Sequence, residues 1–160
     1  MSTEDAELPS APAVTGPAPH LLVVRAPYYR GVIDGLTMGA QRILTQAGAT
    51  ADTLDVAGAF ELPQAIRIAL RGTGKFDGFI ALGCIVKGET DHYDFICRTT
   101  MDGIMAVALQ FGLCLGTGLL TCDTIGQAEA RSGQDGHNKG AEAAAAALLQ
   151  INAARRLGAA

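Results

Sequence analysis

The sequence predicts an α/β protein, a single three-layer αβα sandwich with helices on both faces of a four-stranded parallel sheet. Three observations predict it. Short apolar runs alternate along the chain with segments whose apolar residues recur at helical spacing, the pattern of parallel βαβ units. The runs are continuous, as expected of strands covered on both faces. The 160 residues suit one domain, with no internal repeat and no second composition block.

Each element can be justified in turn. Residues 1–19 hold Pro9, Pro12, Pro17 and Pro19, four of the six prolines, and are expected to form a flexible arm ahead of a domain over 20–157. Leu21 to Val24 is the first apolar run. Ile33, Leu36, Ala40, Ile43, Leu44 and Ala47 then follow a helical period, and Gly48 fits the stop. Thr50 to Ala57 alternates as a second strand. Leu62, Ala65, Ile66, Ala69 and Leu70 mark a short helix ended by the Gly72-Thr73-Gly74 turn. Gly78 to Cys84 is the third strand. A long helix follows, carried by Tyr93, Ile96, Met101, Ile104, Met105 and Ala108. Gly118 to Thr121 is the fourth strand, and two helical stretches close the chain, the last from about Asn138 to Arg156.

Composition excludes several functions. With 12 Lys and Arg against 16 Asp and Glu, the net charge is −4, which speaks against nucleic-acid binding, since tracking phosphates needs a concentrated basic face. No apolar run approaches the ~20 residues that span a bilayer. The opening MSTEDAELPSAPAVTGPAP is acidic where a signal peptide needs positive charge, so a cytoplasmic location is expected. Cys84, Cys97, Cys114 and Cys122 lack C-x-x-C spacing and lie in apolar stretches, which predicts buried free thiols. The 28 alanines against 5% aromatic residues predict a core of small side chains and closely packed helices.

In an open parallel sheet, ligands bind outside the carboxyl ends of the strands. Four segments fall there: Arg25 to Tyr29, Ala57 to Glu61, Cys84 to Asp94, and Thr121 to Arg131. The densest in chemistry is Lys87-Gly88-Glu89-Thr90-Asp91-His92-Tyr93-Asp94. A Gly-containing loop running into a helix start offers unpaired N–H groups and a positive dipole end to an anion. His92 at that start could act as general acid or base. The competing reading makes Thr90 or Asp91 an N-cap and His92 a surface residue. A metal site from Glu89, Asp91 and His92 lacks a second His at ligand spacing. Arg131 could clamp an anion bidentately or simply lie solvated on its helix. Asn138 fits an N-cap, whereas Lys139 beside it opposes the helix dipole. Gly58 to Pro63 reads either as a well-made helix start or as a turn that holds a polar ligand, with Phe60 stacking on it. Gly72-Thr73-Gly74-Lys75 fails as a Walker A loop, since Ala69 and Phe76 stand where Gly and Ser or Thr are needed.

Together the blocks GAFELP (58–63), FDGFIALGCIVKGETDHYDF (76–95), GLLTCDTIGQAEAR (118–131) and HNKGAEAA (137–144) resemble the lumazine synthase family, in family order and spacing, from about Leu21 to Ile151. The resemblance implies a flavodoxin-like sheet and pentamers with active sites at subunit interfaces. It implies the condensation of 5-amino-6-(D-ribitylamino)uracil with 3,4-dihydroxy-2-butanone 4-phosphate to 6,7-dimethyl-8-ribityllumazine, with no cofactor and no metal. His92 would shuttle protons. Glu89 and Thr90 would hold the phosphate mainly through backbone N–H groups, helped by Arg131 and Lys139. Ala59, Phe60 and Glu61 would take the ribityl chain, and Cys84, Ile85 and Val86 the pyrimidine edge.

Three positions depart from the family pattern. Ala26-Pro27-Tyr28-Tyr29 replaces Ala-Arg-Phe-Asn, so Tyr28 keeps a ring for stacking while Pro27 removes a charge. Thr117 stands where a Phe from the neighbouring subunit often covers the uracil, and Lys87 where Arg is frequent. Pro27 and Thr117 leave a second reading, a flavin- or lumazine-binding protein of low turnover on the same scaffold, which His92 and Arg131 oppose. The arm's prolines oppose strand addition to a neighbour's sheet and favour a pentamer or decamer over a sixty-subunit shell.

Overall fold

A computed structural model describes residues 8–134 and 136–159. Its elements are β1 (His20–Arg25), α1 (Arg30–Gln46), β2 (Thr50–Asp55), a 3-10 turn (Ala59–Glu61), α2 (Leu62–Ala69), β3 (Gly78–Val86), α3 (His92–Phe111), β4 (Leu115–Cys122), α4 (Ile125–Ser132) and α5 (Lys139–Arg156). All strand pairs are parallel and the order across the sheet is β2-β1-β3-β4. The expected α/β sandwich is what forms.

Strand alternation explains the three layers. Leu21, Val23, Ile80, Leu82 and Cys84 face one way and join α1 and α5 through Ile33, Leu36, Ile43, Leu44, Leu148 and Ile151. Leu22, Val24, Phe79 and Ala81 face the other way and join Leu62 and Ile66 of α2 and Ile104 and Val107 of α3. Both faces of β1 and β3 are therefore apolar, which is why their sequences read as unbroken runs. β2 is an exposed edge instead. Its Asp55 forms a two-pronged ion pair with Arg25, Nε–Oδ1 2.7 Å and Nη2–Oδ2 3.0 Å, and such charges discourage pairing with another chain.

Local stops behave as the sequence suggests. Gly48 follows α1 in a left-handed conformation (φ 69°) and Gly112 ends α3 in the same way (φ 61°). The fourth strand begins three residues earlier than its apolar run indicates. Leu115, Gly116 and Thr117 pair with Phe79, Ile80 and Ala81. Two glycines weaken the strand pattern there because α5 lies directly on them. A Cβ at Gly116 would collide with the Ala143 carbonyl, and one at Gly118 would come 3.0 Å from the Lys139 carbonyl oxygen.

The first seven residues of the expected arm lie outside the described residues. Residues 8–19 form no helix or strand, yet they are anchored to α5. Asn152 donates to the Ala13 carbonyl (2.6 Å) and accepts from the Thr15 N–H (3.1 Å), while Arg155 donates to the carbonyls of Thr15 (2.6 Å) and Pro17 (2.9 Å). One expectation about the thiols is corrected. All four are free, but only Cys84 and Cys122 are buried. Cys97 lies on the flank of α3 and Cys114 in the turn before β4, and both are half-covered. Among the described residues, no helix is long and apolar enough to cross a membrane.

Candidate active site

Strand order reverses between β1 and β3, since β1 leads outward to β2 while β3 leads the other way to β4. Chains leaving the two strands diverge at that point and open a crevice at their carboxyl ends. A cavity of about 490 Å³ lies there, walled by Tyr28, Tyr29, Gly58, Ala59, Phe60, Glu61, Cys84, Ile85, Val86, His92 and Ile96. The segments after β1 and β2, the end of β3 and the start of α3 thus meet around one space. A larger hollow of about 920 Å³ between the arm and α5 sits at the opposite end of the sheet and contains none of the candidate residues.

Each wall has a local cause. Tyr28 is 76% exposed and stands edge-on to Tyr29, ring centroids 5.4 Å apart, so a broad aromatic face is left open at the mouth. Pro63 in the first turn of α2 sets that helix, and the preceding turn brings Phe60, 44% exposed, to the opposite rim. The Glu61 carboxylate folds back toward Gly58, where an added Cβ would sit 3.2 Å from Oε2. The last three residues of β3 form the floor. Cys84 there is a neutral thiol. Burial, and secondarily the nearby Cys122, push its pKa from 9.0 to about 12. It serves as wall, since only a thiolate is a nucleophile.

The start of α3 settles one alternative. Asp91 is the N-cap position, but no side chain caps the helix there. By contrast, Thr124 caps α4 and Asn138 caps α5, accepting from the N–H groups of Gly140 and Ala141. Thr90 and Asp91 therefore do not serve as caps, and the first N–H groups of α3 have no side-chain partner. His92 is exposed on that first turn and lines the cavity.

The structure brings the candidates Tyr28, Ala59, Phe60, Glu61, Cys84, Ile85, Val86 and His92 around one cavity, together with Tyr29, Gly58 and Ile96. Ile96 could have been found from its spacing, four residues beyond His92 on a helix, and Tyr29 from its position beside Tyr28. Glu89 and Thr90 lie on the exposed loop before α3 and do not line the cavity. Three other candidates, on β4 and the two helices that follow it, lie outside the cavity. Thr117 pairs with Ala81, five residues before Val86, roughly 16 Å back from the rim at ~3.3 Å per residue. It faces a different hollow, with Met101, Met105 and Leu109. Arg131 donates to the Gln127 carbonyl of its own helix (2.9 Å) and lies close enough to Cys122 for its charge to counter the rise that burial imposes on that thiol. Lys139 pairs with Glu142 in the same first turn (2.6 Å), which offsets its conflict with the helix dipole.

The chain is similar in sequence to proteins of one family. The model of the 6,7-dimethyl-8-ribityllumazine synthase family matches residues 18–155. A protein of that name from Agrobacterium fabrum is 41% identical over 144 residues, covering 88% of this chain and 97% of the relative. One from Bartonella tribocorum is 39% identical over 140 residues (88% and 93% covered). One from Azorhizobium caulinodans is 38% identical over 160 residues (98% of each).

Proposed function

The chain belongs to the 6,7-dimethyl-8-ribityllumazine synthase family, and on that premise we propose that the crevice between β1 and β3 is where it carries out the family's condensation. It joins 5-amino-6-(D-ribitylamino)uracil to 3,4-dihydroxy-2-butanone 4-phosphate and releases 6,7-dimethyl-8-ribityllumazine, phosphate and two molecules of water, the penultimate step of riboflavin biosynthesis. The observation that carries the assignment is the convergence of Tyr28, Phe60, Glu61 and His92 beside a helix start that no side chain caps.

Each residue has a role that follows from its place. The uracil ring lies against the Tyr28 face with its polar edge on the backbone of Cys84, Ile85 and Val86, at the open end of β3. Ala59, Phe60 and Glu61 hold the ribityl chain, the carboxylate accepting from its hydroxyls. The phosphate sits at the α3 start, where Glu89 and Thr90 contribute backbone N–H groups and the dipole favours negative charge. His92, on the same turn, moves protons as the amine adds to the ketone, water departs and phosphate is eliminated. Much of the acceleration is positioning, since two reactants held in reactive geometry recover ~7–11 kcal/mol of barrier.

The working unit is a homopentamer. Thr117 on β4, an edge strand of the sheet, Arg131 on α4 and Lys139 at the start of α5 all lie outside this chain's own cavity. A neighbour docked on the cavity mouth supplies them, Thr117 over the uracil and Arg131 with Lys139 toward the phosphate.

A steady-state assay with both substrates tests the reading. His92→Ala lowers kcat by about 10²–10⁴. Arg131→Ala raises KM for the butanone phosphate by about 10–100-fold, the scale of one charge-assisted hydrogen bond, with little change in KM for the uracil. No product from a folded, pentameric wild type that still binds lumazine would overturn it and mark a binding protein.

A further inference from the structure

We infer that Asn138 is a positioning residue that sets Arg131 and Lys139 relative to each other, an inference that rests on the phosphate-binding role proposed for those two cations. Asn138 is only 1% exposed, and its side chain makes five hydrogen bonds. Its amide nitrogen donates to the carbonyls of Gly35 (3.0 Å), Ser132 (2.8 Å) and Gly133 (3.0 Å). Its amide oxygen accepts from the N–H groups of Gly140 (2.9 Å) and Ala141 (3.0 Å).

The chain positions of these partners matter. Ser132 and Gly133 directly follow Arg131, and Gly140 and Ala141 directly follow Lys139. One side chain thus joins the end of the helix that carries the first cation to the start of the helix that carries the second. Through Gly35 it fixes both to α1, part of the apolar layer below. The segment between α4 and α5 has no helix or strand of its own among its described residues, so local structure does not hold the two ends together. A buried amide that lost these partners would pay a full desolvation penalty, which makes the joint stiff.

The surroundings are shaped to admit that amide. A Cβ at Gly39 would overlap the Asn138 side chain, and one at Gly35 would strike the Ser132 carbonyl. Gln134 reinforces the joint, its amide donating to the same carbonyls of Gly35 (2.9 Å) and Ser132 (3.2 Å). An N-cap needs only the oxygen of Asn138. Its nitrogen is committed entirely to the junction, a function that an ordinary cap does not require.

The experiment compares Asn138→Ser, Gln134→Ala, Arg131→Ala and the Asn138→Ser/Arg131→Ala double variant in the two-substrate assay, with Ile151→Val in the α5 core as a stability control. Serine keeps a capping oxygen but cannot reach the three carbonyls. Asn138→Ser is expected to raise KM for the butanone phosphate about tenfold while KM for the uracil stays within about twofold. Gln134→Ala shifts it in the same direction by less. The double variant resembles Arg131→Ala alone, because residues acting as a unit are not additive. Ile151→Val moves neither KM. An equal rise in both KM values, or effects of Asn138→Ser and Arg131→Ala that multiply, would overturn the inference. Should Asn138→Ser fail to fold, an unchanged phosphate KM in Gln134→Ala overturns it. An unchanged phosphate KM in Arg131→Ala removes the phosphate reading itself and this inference with it.

Discussion

Cys84 shows how one buried group couples the site to stability. Its folded pKa, about 12, lies above the 9.0 of a free thiol, so the native state holds its proton more tightly than the unfolded chain. That contribution is complete below pH ~9 and is lost as pH rises toward 12, because only the unfolded chain gains by ionising. Chemical denaturation of the wild type and Cys84→Ala between pH 7 and 11 should give curves that converge as pH rises. A gap that stays constant across that range would show that the thiol does not titrate as its burial requires. Cys84 lines the pocket as a buried neutral group, whereas His92 is exposed on it.

Helix ends and helix crossings decide the next level. The start of α4 reads Thr124-Ile125-Gly126-Gln127, where Thr124 Oγ1 accepts from the Gln127 N–H (3.3 Å) and Gln127 Oε1 accepts from the Asp123 N–H (2.9 Å). Thr124→Ala should therefore cost about 1 kcal/mol in urea unfolding. The α1–α5 crossing is tighter. A Cβ at Gly140 would collide with the Leu36 carbonyl, a backbone atom that cannot rotate away. Gly140→Ala should cost more than the lost cap, about 2–3 kcal/mol on the scale of overpacked cores, despite alanine's better helix propensity. A neutral or stabilising Gly140→Ala would mean the two helices separate freely. The start of α3 carries no side-chain cap, a feature it shares with α1 and α2, whose N-cap residues Tyr29 and Glu61 also line the cavity, so three helix starts without side-chain caps face one space.

At the scale of the whole molecule, exposed apolar surface bears on the proposed pentamer. Phe95, Met101, Met105 and Leu109 project from α3, with Phe95 70% and Leu109 75% exposed, and Ile68 does so from α2. A face of this extent on a single chain marks an interaction surface. Leu109→Glu should dissociate the proposed pentamer in sedimentation velocity and abolish lumazine formation with it, because Thr117, Arg131 and Lys139 would then meet no neighbour's cavity. An active monomer would show that each site is complete within one chain.

Much of this protein is legible in its sequence because the signals are local. The unbroken run of β3, the helical period of α1, the Gly48 stop and the order of four motif blocks each depend on a few neighbouring residues. They suffice for the sheet, the layers and the segments that reach its carboxyl end. Register and packing are long-range, and they decided the rest. Pairing with Ala81 withdrew Thr117 from this chain's cavity, and the close approach of α5 hid the start of β4 behind Gly116 and Gly118. The junction at Asn138 was invisible for the same reason, since three of its partners come from α1 and the end of α4 and only folding brings them to one amide.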